Sequence, residues 1–399
     1  MKVLVVTTEY GNGATGGVES VVRFLLKSIE DLTEWHVEVA SLRMSRRAGE
    51  SRRLFDPRSW WGNERRVTTR VADGIRIHQI GSAFAELEAS RFWPRKWLDA
   101  IMTDFDAIVV VSGTPAVCNA VRRASVPVTL QVATLVEFER KEQNAQLRGL
   151  IAVYRRIATW TTSRLDESGL CVPSTTLVEN NLMLRECESR GVRNVELCPP
   201  GVDTDVFIPE ATRASKPYVL QVARLGDPRK NIKGLIRAYA RARSEHGVTQ
   251  SLTLAGMSPP TASDLELIHE LGLKSSIRIH SPVSAADLVK LYQGADLFVS
   301  TSFEEGLGLT FLEAMACEVP VVTTNTAGAT FILDDSSAGA IVPFGEDLTE
   351  RFAAELARWC HNEELRRSAG TAARERVIST FSNRVSSSQF VNAIERLAQ

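Results

Sequence analysis

The sequence predicts an α/β chain made of two doubly wound halves, each an open parallel sheet with helices on both faces. Three observations carry this. Short apolar runs alternate with segments of helical period, a proline-rich break falls near the middle, and the alternation restarts after it. Residues 2–7 form a continuous apolar run of the kind a buried parallel strand needs. Val18, Val21, Val22, Leu25, Leu26 and Ile29 then fall on one helix face. Further strands are expected at 35–42, 74–80, 107–111, 126–133, 170–172 and 195–197. Pro199, Pro200 and Gly201, followed by Pro209 and Pro217, mark the break. Beyond it, strands are expected at 218–223, 251–255, 277–280, 296–301 and 320–323, with Ile232, Leu235, Ile236 and Tyr239 on a helix face. An amphipathic helix closes the chain through Phe381, Val385, Phe390, Val391, Ile394 and Leu397. The expected boundaries are 1–200, 201–380 and a terminal helix at 381–399, with ligands expected in a cleft between the halves.

Composition narrows the function classes. The 399 residues are 44% hydrophobic and 24% charged, which suits a folded chain and excludes a largely disordered one. A formal net charge of −1 argues against a global field for nucleic acid. Six cysteines without a C-x-x-C pair support neither a disulfide framework nor a zinc site, so a reducing, cytoplasmic setting is expected. The opening residues are too short an apolar run for a signal peptide, and no run reaches the roughly 18 residues of a membrane span. The near-zero total hides a local excess. Between Arg43 and Arg70 nine arginines, including Arg46, Arg47, Arg52 and Arg53, stand against three acids, a net +6, with Trp60 and Trp61 among them. A solvated loop is the plain reading of that stretch. The sharper one is a patch for an anionic acceptor or an anionic membrane surface.

Gly11-Asn-Gly13-Ala-Thr-Gly16 is formally G-x-G-x-x-G, which would suggest an NADP enzyme. Its first glycine should end the strand, yet Thr8, Glu9 and Tyr10 intervene. What survives is Gly16-Gly17 ahead of a helix, where bare backbone N–H groups could meet a phosphate. In the second half, residues 302–317 pass from a strand through Glu305, Gly306, Leu307, Gly308, Leu309 and Thr310 into a helix bearing Glu313. Glycines there admit a ligand to the backbone, the helix start offers N–H donors, and carboxylates can accept hydrogen bonds from a vicinal diol. Glu313 lies amid Phe311, Leu312, Ala314 and Met315, where a charge needs a reason. Arg224, Arg229, Lys230 and Lys233 follow the first strand of the second half, placed to neutralise a diphosphate in lieu of a divalent metal. The plain reading, a basic loop in water, applies to Arg229 and Lys233. None of the six histidines has ligand or triad spacing, so no metal site is expected.

Together the Glu305-x7-Glu313 segment, Ala223-Arg224, the run ending at Lys230, Pro199-Pro-Gly201-Val-Asp203 and Gly16-Gly17-Val-Glu19 resemble family 4 retaining glycosyltransferases of the GT-B fold. The resemblance implies two Rossmann-like domains across a cleft, an amino-terminal one for the acceptor and a carboxy-terminal one for a nucleotide-diphosphate sugar such as a UDP- or GDP-sugar. By resemblance, Arg224 and Lys230 hold the donor diphosphate and Glu305 contacts sugar hydroxyls. Residues Gly306 to Thr310 offer backbone N–H groups, Glu313 holds the ribose, Val283 lies near the base, and Gly16 approaches the diphosphate. It also implies metal-independent transfer of a hexose to a sugar, glycan or lipid-linked hydroxyl, with configuration retained. The chain departs from the family where Ala133 or Val132 replaces a usual histidine, where Glu318 replaces a usual glycine, and around Phe331. A non-hydrolysing nucleotide-sugar epimerase, a non-catalytic partner subunit and an NADP oxidoreductase are the competing readings.

Overall fold

The computed structural model describes residues 1–11, 16–45, 48–56, 59, 67–84, 86–145, 147–210, 217–334 and 337–398. Gly13, Arg46, Arg47, Arg58, Trp60, Trp61, Arg65 and Arg66 lie outside the described residues. The chain divides into two compact units, one of Met1–Pro200 with Ser386–Gln399 and one of Gly201–Val385.

In the first unit, β1 (Lys2–Thr8), α1 (Gly17–Leu32), β2 (His36–Arg43), β3 (Val67–Ala72) and β4 (Ile75–Gly81) come first. They are followed by α2 (Lys96–Met102), β5 (Ala107–Ser112), β6 (Val128–Val132), α3 (Val136–Ala145), α4 (Gly149–Leu170), β7 (Thr175–Val178), α5 (Asn181–Ser189) and β8 (Val195–Leu197). The sheet order is β3-β4-β2-β1-β5-β6-β7-β8, parallel except for the antiparallel β3–β4 pair. Leu4, Val6, Ile108, Val110, Leu130 and Val132 are fully buried, which is why these strands read as apolar runs rather than alternating ones.

Two differences from the sequence reading stand out. Residues 170–172 are not a strand. Leu170 ends α4 on its buried side and Val172 N–H donates back to the Gly169 carbonyl, because the helical period continues further than the apolar cluster suggests. The strand comes later, as β7, whose two threonines dilute its apolar signal although all four residues are buried. The edge strand β3 was also unmarked, since its exposed, polar T-T-R run carries no buried face to read.

The second unit contains β9 (Tyr218–Val222), α6 (Ile232–His246), β10 (Ser251–Ala255), α7 (Ala262–Glu270), β11 (Ile277–His280), α8 (Ala285–Gln293) and β12 (Leu297–Ser300). It continues with α9 (Leu309–Ala316), β13 (Val321–Thr324), α10 (Ala327–Leu333), β14 (Gly339–Val342), α11 (Leu348–His361), α12 (Glu363–Arg376) and α13 (Asn383–Ala398), whose residues from Ser386 onward belong to the first unit. Its six strands are all parallel, in the order β11-β10-β9-β12-β13-β14. Apolar clusters cover both faces, one around Ile236, Tyr239, Phe352 and Trp359 and the other around Phe298, Phe311, Met315 and Phe381. The segments that enter and leave this unit lie side by side. Val202 N–H donates to the Phe381 carbonyl and Asn383 N–H to the Val202 carbonyl, each at 2.9 Å. A Cβ on Gly201 would come within 2.7 Å of Asn383 Cα, so only glycine permits this approach.

Candidate functional site

Strand order in the second unit reverses between β9 and β12, the point at which an open parallel sheet leaves a crevice beyond its carboxyl ends. Arg224, Lys230, Glu305 and Gly306 to Gly308 lie in the loops that follow these two strands. After β9, Asp227 accepts the Arg229 N–H at 3.0 Å, which folds Pro228–Lys230 into a single tight turn and aims Lys230 toward the loop after β12. Lys230 Nζ lies 2.7 Å from Glu305 Oε1, and both side chains are largely buried. Arg224 stands half exposed, 3.0 Å from Asp227. Arg229 is not in water as the plain reading expected. It forks onto Asp227 at 2.8 Å and reaches Glu304 at 3.4 Å, because the turn folds it under the loop. Lys233 is exposed. Burial works to raise the Asp227 carboxyl, but the hydrogen bonds and charge of Arg229, with Arg224 beyond, outweigh it and hold the group below the usual range.

The second loop is fixed from several sides. Phe303 N–H donates to the Arg229 carbonyl at 2.8 Å, Thr301 Oγ1 to the Asn231 carbonyl at 2.9 Å, and Gly328 N–H to the Glu305 carbonyl at 3.0 Å. A Cβ on Gly328 would sit 2.2 Å from the Leu307 carbonyl oxygen. Gly308, at φ +95°, begins α9 with no side-chain cap. The first-turn N–H groups of α9, at Leu309 and Thr310, therefore face outward to an external acceptor, with the helix dipole favouring an anion.

Glu313, one turn further on, receives a 2.6 Å hydrogen bond from the Tyr292 hydroxyl. Although part of the residue stays accessible, burial pushes its carboxyl up to about 7, with the Tyr292 hydrogen bond pulling the other way. Val283 is buried just after β11, behind the cis Ser281–Pro282 bond. Ser258 and Ser281, which follow β10 and β11, have buried hydroxyls with no partner among the described residues. Sequence reasoning missed these two serines, and it missed Tyr292, Glu304 and Asn231. Only Asn231 left a signal, since asparagine tolerates the left-handed backbone it adopts (φ +48°) while capping α6. Tyr292 and Glu304 act through partners distant in sequence, and the two serines carry no local pattern.

Gly16 and Gly17 belong to the first unit, where Gly16 is the residue before α1. Gly16 has extended backbone, and a Cβ on either glycine would meet nothing within 4 Å among the described residues. Neither glycine is needed by the local fold. The chain after β1 runs beside β2 instead of turning tightly. Glu9 N–H donates to the Leu42 carbonyl, and the Glu9 carboxylate accepts the Met44 and Ser45 N–H groups at 2.6 and 2.7 Å. This departs from dinucleotide-fingerprint geometry. Two described arginines of the basic stretch serve internal acceptors. Arg43 lies 3.5 Å from Glu9, and Arg70 bonds the Gly11 carbonyl. Among the described residues no cluster of three metal-ligating side chains forms, and no helix is long and apolar enough to cross a membrane.

Residues 204–376 match the family model of the glycosyl transferases group 1. A D-inositol 3-phosphate glycosyltransferase of Corynebacterium jeikeium is 31% identical over 193 residues, 44% of this chain and 46% of that protein. The chain thus spans about half the length of the curated relatives it matches. Among solved structures, sucrose-phosphate synthase from Thermosynechococcus elongatus superposes with a TM-score of 0.73 at 21% identity, covering 99% of this chain and 98% of that one. Anabaena Alr3699/HepE in complex with UDP-glucose gives 0.71 at 16% identity, covering 99% and 100%. The shared fold is that of GT-B glycosyltransferases.

Proposed function

From the match of residues 204–376 to the glycosyl transferases group 1 model we propose that the chain is a retaining hexosyltransferase acting on a nucleotide-diphosphate sugar. The observation that carries the reading is the convergence of Arg224, Lys230, Glu305, Glu313 and the open start of α9 at the reversal point of the second sheet. In this reading Arg224 and Lys230 stand against the diphosphate, together with the Leu309 and Thr310 N–H groups. Glu313 accepts hydrogen bonds from the ribose hydroxyls. Val283, with the unpartnered hydroxyls of Ser258 and Ser281, lines the base end. Glu305, held by Lys230 and by its carbonyl bond from Gly328, meets sugar hydroxyls alongside Gly306 to Gly308. Binding of a hexosyl nucleotide by the solved relative HepE supports the donor class.

The transfer step breaks the bond from the sugar C1 to the diphosphate oxygen and forms one from C1 to the acceptor oxygen on the same face. The acceptor proton passes to the departing phosphate oxygen, and the negative charge gathering there is met by Arg224 and Lys230. Two side-chain cations thereby fill the role that a divalent ion fills elsewhere. The acceptor is a sugar, glycan or lipid-linked hydroxyl for glycan, polysaccharide or glycolipid synthesis on the cytoplasmic side. The amino-terminal unit receives the acceptor. Product analysis with donor, acceptor and the purified protein tests this. A glycosylated acceptor with donor configuration supports transfer, whereas an isomerised nucleotide sugar formed from donor alone would assign an epimerase.

A non-catalytic partner subunit is the second reading, favoured by Ala133, which follows β6 where the family resemblance expects a histidine. Turnover of any acceptor removes it.

A further inference from the structure

Helix α4 carries its apolar face outward. Leu150, Ile151, Val153, Tyr154, Ile157 and Trp160 are 88%, 65%, 53%, 64%, 57% and 61% exposed, whereas Ala152, Thr162, Asp166 and Gly169 are buried. At 3.6 residues per turn the six exposed side chains occupy roughly half the helix circumference, and Ala152 points the opposite way. The carboxy-terminal half explains this rotation. Asp166 accepts the Ala116 N–H at 2.9 Å and the Val136 N–H at 2.8 Å, and Gly169 lies so close to Pro115 that a Cβ would sit 2.2 Å from its carbonyl oxygen. Small and polar residues dock the helix, leaving its large apolar side chains exposed among the described residues. An ordinary surface helix is oriented the other way.

The charges around this face say what covers it. No aspartate or glutamate occurs from residue 145 to residue 165, whereas Arg148, Arg155, Arg156 and Arg164 do. Arg155 and Arg156 flank the apolar face on either side, and no described residue forms an ion pair with them or with Arg148. Arg164 lies over the Trp160 ring at 5.7 Å and pairs with Glu167 at 3.3 Å. A second copy of this chain is a poor cover, because a two-fold contact would bring arginine against arginine with no acid between them. Apolar side chains flanked by arginines, with a tyrosine and a tryptophan able to keep their polar tips in the headgroup layer, match an in-plane interfacial helix.

We propose that the amino-terminal half of α4 lies in the surface of an anionic lipid bilayer, with Leu150, Ile151, Tyr154, Ile157 and Trp160 among the acyl chains and Arg148, Arg155 and Arg156 against the headgroup phosphates. The test reads lipid binding alone, so it stands or falls separately from the transferase reading. The full chain is floated with phosphatidylcholine vesicles and with vesicles half phosphatidylglycerol, alongside Ile151→Gln/Tyr154→Gln/Ile157→Gln and Arg155→Ser/Arg156→Ser variants. Wild type should float with the anionic vesicles at low salt and about tenfold less with neutral ones, and each variant should bind anionic vesicles about tenfold more weakly with unchanged circular dichroism. Three results would overturn it: no flotation of wild type on anionic vesicles, flotation of the arginine variant equal to wild type, or a wild-type dimer that the glutamine variant converts to monomer.

Discussion

At the residue scale the account rests on side chains whose partners lie far away in sequence. Lys230 and Glu305 are 75 residues apart and Tyr292 and Glu313 are 21 apart. The sequence marked Lys230 as a cation placed for a diphosphate, Glu305 as a carboxylate beside glycines and Glu313 as a charge needing a reason, because such patterns are legible locally. It did not mark Tyr292 or Glu304, whose roles exist only once α8 packs on α9 and Arg229 turns under the loop. Glu313 yields a prediction with two opposite signs. Its carboxyl is raised to about 7 by burial, above its unfolded value, so its contribution to stability is fully present below the unfolded pKa and is lost as pH rises through about 7. Donor binding runs the other way, since hydroxyls hydrogen-bond best to the ionised carboxylate. Nucleotide affinity measured by calorimetry should therefore rise from pH 6 to pH 8, and Glu313→Gln should flatten that rise while weakening binding at pH 8. An affinity that is pH-independent in wild type would remove Glu313 from the ribose site.

Elements depend on a few backbone positions. Gly328 opens the start of α10 against the Leu307 carbonyl and donates to the Glu305 carbonyl, so Gly328→Ala must push the loop after β12 aside. We expect it to lower unfolding stability by about 1–3 kcal/mol, the range for overpacking, and to weaken nucleotide binding at least tenfold. Denaturant midpoints and calorimetry measure the two effects, and unchanged binding would show that this loop does not frame the donor. Glu318 offers a related lesson. It occupies a left-handed position (φ +59°), which gives a physical reason for the glycine expected there from the family resemblance. Elements were legible where burial was two-sided, as in β1, β5 and β9. They were obscured where threonines diluted the pattern, as in β7, or where no face is buried, as in β3.

For the whole molecule, the repeat of the α/β alternation after Pro199 was enough to expect two doubly wound sheets, and each unit has one. The inverted amphipathicity of α4 was not legible, because hydrophobic period alone cannot say which face of a helix is docked. If Arg224 and Lys230 carry the charge of the leaving diphosphate, transfer should persist undiminished in excess EDTA. A loss restored by magnesium or manganese would assign that task to a metal. The most direct test of the central claim is a thermal shift of the full chain with a panel of nucleoside diphosphates, nucleotide sugars and NADP. The account predicts that one base family of nucleoside diphosphates and its sugars raises the melting temperature by several degrees, that NADP does not, and that Lys230→Ala abolishes the shift. No response to any nucleotide diphosphate, or an equal response in Lys230→Ala, would contradict it.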